Sequence, residues 1–426
     1  MARLHSLITL LLLSGTALAQ SKRYPAPPKD VDQEAESHSH LWESALDPER
    51  KPYEELVRDA RRLLDDGSHP QKDQAAAALP KLDEAVAHLP KDYRAHALRG
   101  RAYLILGQFA KCTADLELAD ADNLRDDGST DPERDTIELQ LGICQGRGGK
   151  LADAERTLLH AVAVAPHGEQ WMRLGEVRIA LGKLDEAVDS LTAALEARDG
   201  VEAAIHWLLA LAYDRARKSS LADDEARIAL NRDPTFTLIQ NPAYPWLRPG
   251  ELEYMMGIAR RTSANQDRDA TPEIALLYFR RFLRIAGDSP WKRRAEEHVK
   301  ELASLPFPLS LPRTAQSTAL VDTAAYVPIV QRAMPSLRAC VAKLPGEAFT
   351  VTIVRSAPHE TSAAKPHYAV PASSVKVAPS VELEPITQEA EDAAVRCLAP
   401  IAERIALPQP KERDTYYQVS FTVVAP

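Results

Sequence analysis

Apolar residues recur at helical spacing over most of the chain. From residue 53 to residue 304 they return every three or four positions, and proline or glycine marks the breaks between the periodic segments. Recurrence at i, i+3, i+4 and i+7 is typical of amphipathic helices that bury one face. This stretch is therefore predicted to be a series of short helices, which makes the fold class mainly α.

Two segments within this stretch repeat one another at a fixed distance. The first contains Leu141, Gly142, Gly149, Lys150, Leu151, Ala154, Leu158 and Ala161. The same residue types return 33 positions later as Leu174, Gly175, Gly182, Lys183, Leu184, Ala187, Leu191 and Ala194. A period of this length predicts repeated helical hairpins that stack on their neighbours.

The glycines of the pattern have physical explanations. Gly142 and Gly175 fall inside a predicted helix, where glycine costs about 1 kcal/mol relative to alanine. We therefore expect a second helix to approach closely at these two positions. Gly149 and Gly182 fall where the first helix should end, a position that favours left-handed backbone. The segment 146–150 is thus an interhelix turn and no phosphate loop, which needs Ser or Thr after its lysine.

Other fixed positions of the clearest copy carry aromatic, apolar and small residues. They are Trp171, Leu174, Gly175, Ala187, Leu191 and Ala194. This spacing resembles the tetratricopeptide repeat. The resemblance implies an α-solenoid over residues 53–304 whose concave groove binds an extended peptide or a helix of a protein partner.

The resemblance also implies which side chains line that groove, one helical turn apart on the first helix of each hairpin. Most of them are apolar, with a basic end at Arg94 and Arg101. An exposed apolar surface of this size indicates a partner; the alternative is a superhelix that curls tightly and buries several of these residues. Copy by copy, they are Arg94, Ala97, Arg101, Leu104, Leu139, Ile143, Met172, Glu176, Ile179, Trp207, Leu211, Asp214, Tyr254 and Ile258.

The pattern changes after a Pro- and Thr/Ser-containing linker. Alternation of β-branched residues predicts strands there, between two further helical segments. The predicted order is helix-strand-strand-helix-strand, which makes a small α/β domain. The segments are 305–319 for the linker, 320–426 for the domain, 326–344 and 387–407 for its helices, and 349–354, 375–383 and 416–424 for its strands.

This order, with one cysteine in each helix, resembles the C-terminal domain of AgmX/PglI-type envelope proteins and, more broadly, TonB C-terminal domains. It departs from that family in the long loop 355–374 between the first two strands. The resemblance implies a domain that docks onto another member of an envelope complex.

The N-terminal end has the pattern of an export signal. Arg3 precedes a short apolar run, and Ala17-Leu18-Ala19 offers the small residues that signal peptidase reads. Residues 1–19 are therefore predicted to be a signal peptide and 20–52 a disordered leader. No later segment is apolar enough to span a membrane, so we expect a periplasmic or secreted protein. Its net charge of -9 argues against a nucleic-acid partner.

Four cysteines fit an oxidising compartment. Cys340 and Cys397 lie in helices that should cover the same sheet face, which favours a disulfide between them. Cys112 and Cys144 lie in neighbouring helices of successive repeats, so a second disulfide or two buried thiols are both open.

Candidate chemistry is sparse. The sequence has no Gly-x-Ser-x-Gly or His-Glu-x-x-His motif, and we predict no catalytic residue, metal site or cofactor. The prediction is a non-enzymatic scaffold that joins envelope proteins; the alternative is an enzyme with its site at His359, Glu360 and His367. A basic run is interpreted as a solvated face, with an anionic lipid or acidic partner as the alternative: Arg280, Arg281, Arg284, Lys292, Arg293 and Arg294.

Overall fold

The structure is a computed structural model, and part of the chain is described by it. The predicted signal peptide, the linker 305–319 and all but the last residues of the predicted leader lie outside this part. The described residues are 48–67, 71–122, 134–240, 250–266, 272–304, 326–344, 346–356, 373–379, 387–408 and 416–426.

Helices dominate the described residues, and three strands follow near the C-terminal end. In chain order the helices of the repeat region are α1 (Arg50–Asp65), α2 (Gln71–His88), α3 (Tyr93–Ile105), α4 (Phe109–Asp122), α5 (Arg134–Arg147), α6 (Leu151–Val164), α7 (Gly168–Leu181), α8 (Leu184–Ala197), α9 (Glu202–Arg215), α10 (Ser219–Arg232), α11 (Thr237–Gln240), α12 (Glu251–Gln266), α13 (Pro272–Ile285) and α14 (Lys292–Ser304). The small domain has α15 (Val327–Val341), β1 (Ala348–Ser356), β2 (Ser374–Pro379), α16 (Gln388–Glu403) and β3 (Tyr416–Val424).

Consecutive helices of the repeat region pack as antiparallel-type hairpins, each against the next. The pairs are α1–α2, α3–α4, α5–α6, α7–α8, α9–α10 and α12–α13, and α14 packs on α13. The two helices of each hairpin bury their apolar faces against each other and against the following hairpin, as in other solenoids. The predicted mainly α fold with a tetratricopeptide-type solenoid is confirmed.

The predicted close approach of paired helices is also confirmed. A methyl group placed on Gly142 would lie 2.6 Å from Cγ of Leu158, and one on Gly175 would lie 2.6 Å from Cγ of Leu191. Such distances are shorter than a carbon–carbon contact allows, so glycine is required here by packing. Gly182, at the end of α7, has a φ of 79° in the left-handed region, as its C-cap position favours.

The second half of the solenoid shares one large apolar core. This core runs from α7 to α14 and includes the fully buried rings of Trp207, Tyr254 and Phe279. Tyr254 meets Phe279 edge-on, with ring centroids 5.4 Å apart, an arrangement that aromatic pairs prefer. The first half has separate, smaller cores, so its hairpins contact only their neighbours.

The small domain is a three-stranded antiparallel sheet of order β2-β1-β3. Alternate residues of its central strand, Phe349, Val351 and Ile353, are fully buried under α15 and α16. This alternation follows from the period of two along a strand. The predicted helix-strand-strand-helix-strand order is confirmed. The second strand is predicted over residues 375–383, of which 375–379 lie in β2 and 380–383 lie outside the described residues.

The small domain packs on the solenoid through the outer end of its sheet. Ala348 of β1 and Val424 of β3 belong to the same apolar core as α13, and α13 contacts β3. Ala348 and Val424 lie on the sheet face opposite to the one that α15 and α16 cover, because their neighbours Phe349 and Val423 belong to the core under those helices.

Candidate protein-interaction face

The residues predicted to line the groove divide into two groups along the solenoid. Those on α3 and α5 are half-buried and reach solvent. Those on α7, α9 and α12 are buried, so the expected exposed stripe is wrong for that half. The alternative expected several of these residues to be buried, and they are, but later segments of the chain contact Trp207 and Asp214. The buried residues are Met172, Glu176, Ile179, Trp207, Leu211, Asp214, Tyr254 and Ile258.

Trp207 is covered by the segment that follows the fifth hairpin. Its ring lies 6.3 Å from the ring of Phe236, and its Nε1 donates a hydrogen bond to Asp233 at 3.3 Å. The short helix α11 contacts both α9 and α12. This segment does not occur in the regular repeat, so the consensus position alone could not show that Trp207 is enclosed.

Asp214 is buried because it binds three other side chains. Its carboxylate accepts hydrogen bonds from Tyr254 at 2.7 Å, from Arg294 at 2.8 Å and from His298 at 2.9 Å. Burial alone would raise the pKa of Asp214, but the bonds and charges of His298, Arg294 and Arg261 hold it well below its usual value. Asp214 therefore joins α9 to α12 and α14 and closes this end of the solenoid.

Four apolar side chains stay partly accessible on the first helices of the second and third hairpins. They are Ala97 and Leu104 on α3, and Leu139 and Ile143 on α5. The two helices contact one another, which places the four residues on neighbouring helices at one hairpin boundary. We call Ala97, Leu104, Leu139 and Ile143 the open strip.

Two arginines share the face of α3 that carries Ala97 and Leu104, and both form ion pairs. Arg94 donates to both carboxylate oxygens of Glu54, at 3.0 and 2.8 Å, and also binds Asp92. Arg101 donates to Asp65 at 2.7 Å. The predicted basic end is therefore wrong, because carboxylates of α1 and of the α2–α3 turn neutralise both arginines.

The first helix of the next hairpin carries a buried pair of charges that the repeat pattern does not show. Arg173 donates to Glu176 at 3.2 Å, and both residues lie on α7. Burial raises the pKa of Glu176, against the opposing effect of Arg173. Burial lowers the pKa of Arg147 to about 10, and the charge of Arg173 acts in the same direction. The 33-residue period reveals only residues that recur in successive repeats. Arg147, Arg173 and Glu176 form a charge group at a single contact between two hairpins.

A disulfide lies directly behind the open strip. Cys112 of α4 is bonded to Cys144 of α5, with Cα atoms 6.1 Å apart, and both residues are fully buried. Cys340 of α15 is bonded to Cys397 of α16. The predicted Cys340–Cys397 disulfide is confirmed. Of the two possibilities for Cys112 and Cys144, a disulfide or two buried thiols, the structure has the disulfide. The first bond fixes the two hairpins that carry the open strip.

A polar cavity of about 390 Å³ lies among α4, α5 and α6. Glu138 is buried at this cavity and accepts a hydrogen bond from Nδ1 of His160 at 2.7 Å. Acidic side chains such as Asp120 and Asp153 add to its lining. No motif in the sequence marks this cavity, because its residues come from three helices.

The basic run is only partly a solvated face. Arg293 is exposed, with 85% of its side chain accessible, but Arg294 binds buried Asp214. Arg281 and Arg284 both bind Glu347 of the small domain. The solvated interpretation is therefore wrong for Arg281 and Arg294, whose side chains are 22% and 13% accessible. Arg284 pairs with Glu347 and still keeps 57% of its side chain accessible.

The residues of the alternative enzyme site, His359, Glu360 and His367, lie outside the described residues. Within the described part of the chain, no three His, Cys, Asp or Glu side chains are grouped closely enough to hold a metal ion. Within the same part, no helix combines the length and apolar character that crossing a membrane requires.

The stacked hairpins and their glycine–leucine approaches define a helical-repeat protein of the tetratricopeptide type, a fold that commonly serves protein–protein interaction. Residues 170–199, which cover α7 and α8, match the family model of the tetratricopeptide repeat. No curated protein matches the chain.

Several solved structures overlap with the repeat region. "Crystal structure of YrrB: a TPR protein with an unusual peptide-binding site" is 18% identical, covers 39% of this chain and 81% of its own, and has a TM-score of 0.34. MamA from Desulfovibrio magneticus RS-1 is 16% identical over 43% of this chain and 96% of its own, at 0.37. PilF of Pseudomonas aeruginosa is 15% identical over 60% and 99%, at 0.40. The fold assignment rests on the repeat geometry and the family match.

Proposed function

We propose that this chain is an exported, non-enzymatic adaptor of the cell envelope. The open strip holds an extended or helical segment of one partner protein, and the small domain docks another. The observation that carries the proposal is the open strip itself, because apolar side chains that reach solvent on neighbouring helices are typical of interaction sites.

The surroundings of the open strip support this role. Ion pairs hold Arg94 and Arg101 on the same face of α3, and the Cys112–Cys144 disulfide joins the two hairpins that carry the open strip. A preformed binding surface loses less conformational entropy when a partner binds. The open strip is therefore suited to hold a flexible segment without first rearranging.

Export is supported by the signal-peptide pattern of residues 1–19 and by the two disulfides. Disulfides persist in the periplasm and outside the cell, whereas the cytosol keeps thiols reduced. Fractionation of cells that express the chain should place it outside the cytoplasm, with Gln20 as its first residue. Recovery of the uncleaved chain from the cytoplasm would contradict export.

A photo-crosslinking amino acid at position 143 tests the adaptor role. We expect it to capture a discrete protein in the envelope fraction, because Ile143 lies in the open strip. The matched position is 118, since Leu118 on α4 is 48% exposed but lies outside the strip. Leu104→Glu should remove the adduct, and Leu118→Glu should leave it unchanged. Equal adducts at both positions, or no effect of Leu104→Glu, would refute a partner at the open strip.

A further inference from the structure

A group of arginines lies where the sixth hairpin meets the small domain. Arg280 of α13 donates to the backbone carbonyl of Ala425 at 2.9 Å. One and four residues further along the same helix, Arg281 and Arg284 both bind the carboxylate of Glu347. Three guanidinium groups of the solenoid therefore reach the small domain, where they contact one carboxylate and one carbonyl.

Arg338 of α15 brings a fourth guanidinium group from the small domain. Burial lowers the pKa of Arg280, and the charges of Arg338 and Arg284 lower it further. Charges of one sign that are held together at a partly dehydrated surface repel each other, and a bound anion offsets this repulsion. We call Arg280, Arg281, Arg284 and Arg338 the arginine junction.

Solvent reaches the arginine junction. The side chain of Arg284 is 57% accessible and that of Arg281 is 22% accessible, while Arg280 and Arg338 are half-buried. A guanidinium group presents a planar fork of donors that matches the two oxygens of a carboxylate. A carboxylate from outside can therefore approach the same groups that bind Glu347.

We propose that the arginine junction binds a carboxylate-rich segment of a protein partner, and that Glu347 occupies part of this site while the partner is absent. Glu347 shows which ligand the site accepts, because its carboxylate already receives bonds from two arginines. A membrane surface attracts cations that lie fully exposed beside the bilayer. Arg280, Arg281 and Arg338 lie partly buried between two domains, which favours an inserted side chain over a lipid surface.

The proposal makes Glu347 a competitor of the partner. Glu347→Gln removes the internal carboxylate and leaves an amide oxygen that still accepts a hydrogen bond. We expect this variant to bind an acidic segment several-fold more tightly than the unchanged protein, because two arginines lose their internal counter-ion. A residue that merely holds the domains together would not give tighter binding when it is replaced.

The test measures binding of a fluorescent oligoglutamate peptide to the full-length protein by anisotropy at near-physiological ionic strength. A matched oligoglutamine peptide controls for uncharged contacts. We expect the oligoglutamate peptide alone to bind, and Arg280→Gln and Arg338→Gln each to weaken its binding about tenfold, as loss of a charge-assisted hydrogen bond does. Arg293→Gln is the control, because it removes the same charge from an exposed position on α14.

Three results would overturn the proposal. One is equal binding of both peptides. Another is a loss on Arg293→Gln as large as on Arg280→Gln, which would indicate diffuse surface charge. The third is binding of anionic lipid vesicles that depends on Arg280 and Arg338 while the peptide does not bind. Circular dichroism shows whether an arginine variant has misfolded. In that case the binding of Glu347→Gln decides, because peptide binding no tighter than that of the unchanged protein also refutes the proposal.

Discussion

The packing of Gly175 against Leu191 predicts an unusual effect of adding one methyl group. Gly175→Ala places Cβ 2.6 Å from Cγ and 2.8 Å from Cδ2 of Leu191, and the buried Leu191 has no exposed end that can move aside. Overpacking of this kind costs about 1–3 kcal/mol, while replacing a helical glycine by alanine gains about 1 kcal/mol. We therefore expect the free energy of unfolding to fall by up to about 2 kcal/mol.

The sign should reverse when the leucine is shortened. Leu191→Ala alone should cost about 2–5 kcal/mol, since it removes buried methyl groups and leaves a cavity beside Gly175. In that background Gly175→Ala meets no obstacle, so its helix propensity should stabilise the chain by about 1 kcal/mol. The coupling between the two substitutions is then about 1–3 kcal/mol, as expected for residues in direct contact.

The next repeat of the chain has alanine at both of the corresponding positions. Ala210 and Ala226 stand 35 positions after Gly175 and Leu191, and both alanines are fully buried. The same hairpin geometry is thus compatible with glycine opposite leucine and with alanine opposite alanine. The double variant should therefore fold with the same helical content as the unchanged chain.

The assay is guanidinium unfolding of the four proteins of the cycle, followed by far-ultraviolet circular dichroism. Gly67→Ala is the control for the glycine substitution, because a methyl group there would have no neighbour within 4 Å. Additive effects of Gly175→Ala and Leu191→Ala, or a stabilising Gly175→Ala in the unchanged background, would refute the account of Gly175.

Three further predictions concern stability. Replacing Cys112 and Cys144 by serine should cost about 3–4 kcal/mol in the loop-entropy model, measured by denaturant unfolding; an unchanged midpoint would contradict it. Asp214→Asn should cost about 3–5 kcal/mol at neutral pH, and the deficit should narrow as pH falls through the depressed pKa of Asp214, so a constant deficit would disprove the linkage. Since the bond to Asp115 raises the pKa of His96, the deficit of His96→Gln should be largest below pH of about 6.5. It should shrink as pH rises through the raised value, because the ionic part of the bond is lost there; urea unfolding at several pH values checks this.

The features of the fold that could be predicted from the sequence are local. Gly142 and Gly175 marked the helix approaches because glycine inside a helix needs a packing reason, and the structure supplies Leu158 and Leu191. The order of elements in the small domain followed from alternation in its strands, as at Phe349 and its neighbours. Such signals lie within one element or one hairpin, where spacing along the chain equals spacing in the fold.

Exposure could not be predicted in this way. Trp207 occupies a groove position of the repeat, but Phe236 and α11 cover it. Asp214 stands on the same face and is buried by His298 and Arg294, which come from the last helix of the solenoid. A consensus position fixes the direction of a side chain on its helix, whereas its accessibility depends on insertions and later elements.

The charges show the same difference between local and distant information. Arg94 has its counter-ion Glu54 on α1, 40 residues earlier, and Arg281 has Glu347 on the small domain, 66 residues later. A run of basic residues therefore does not give the charge that a partner meets, because partners within the chain neutralise some of it.

Burial and charge together divide the solenoid into two parts with different tasks. The second half is closed by Asp214 and by aromatic packing around Tyr254, and its last hairpin carries the small domain through Arg280 and Glu347. A rigid support suits this half, because a shared core moves as one body. The first half has separate small cores, and its open strip stays accessible at the boundary that the Cys112–Cys144 disulfide holds. A segment bound there and a segment bound at the arginine junction would touch different hairpins, so one chain can hold both at once, as an adaptor requires.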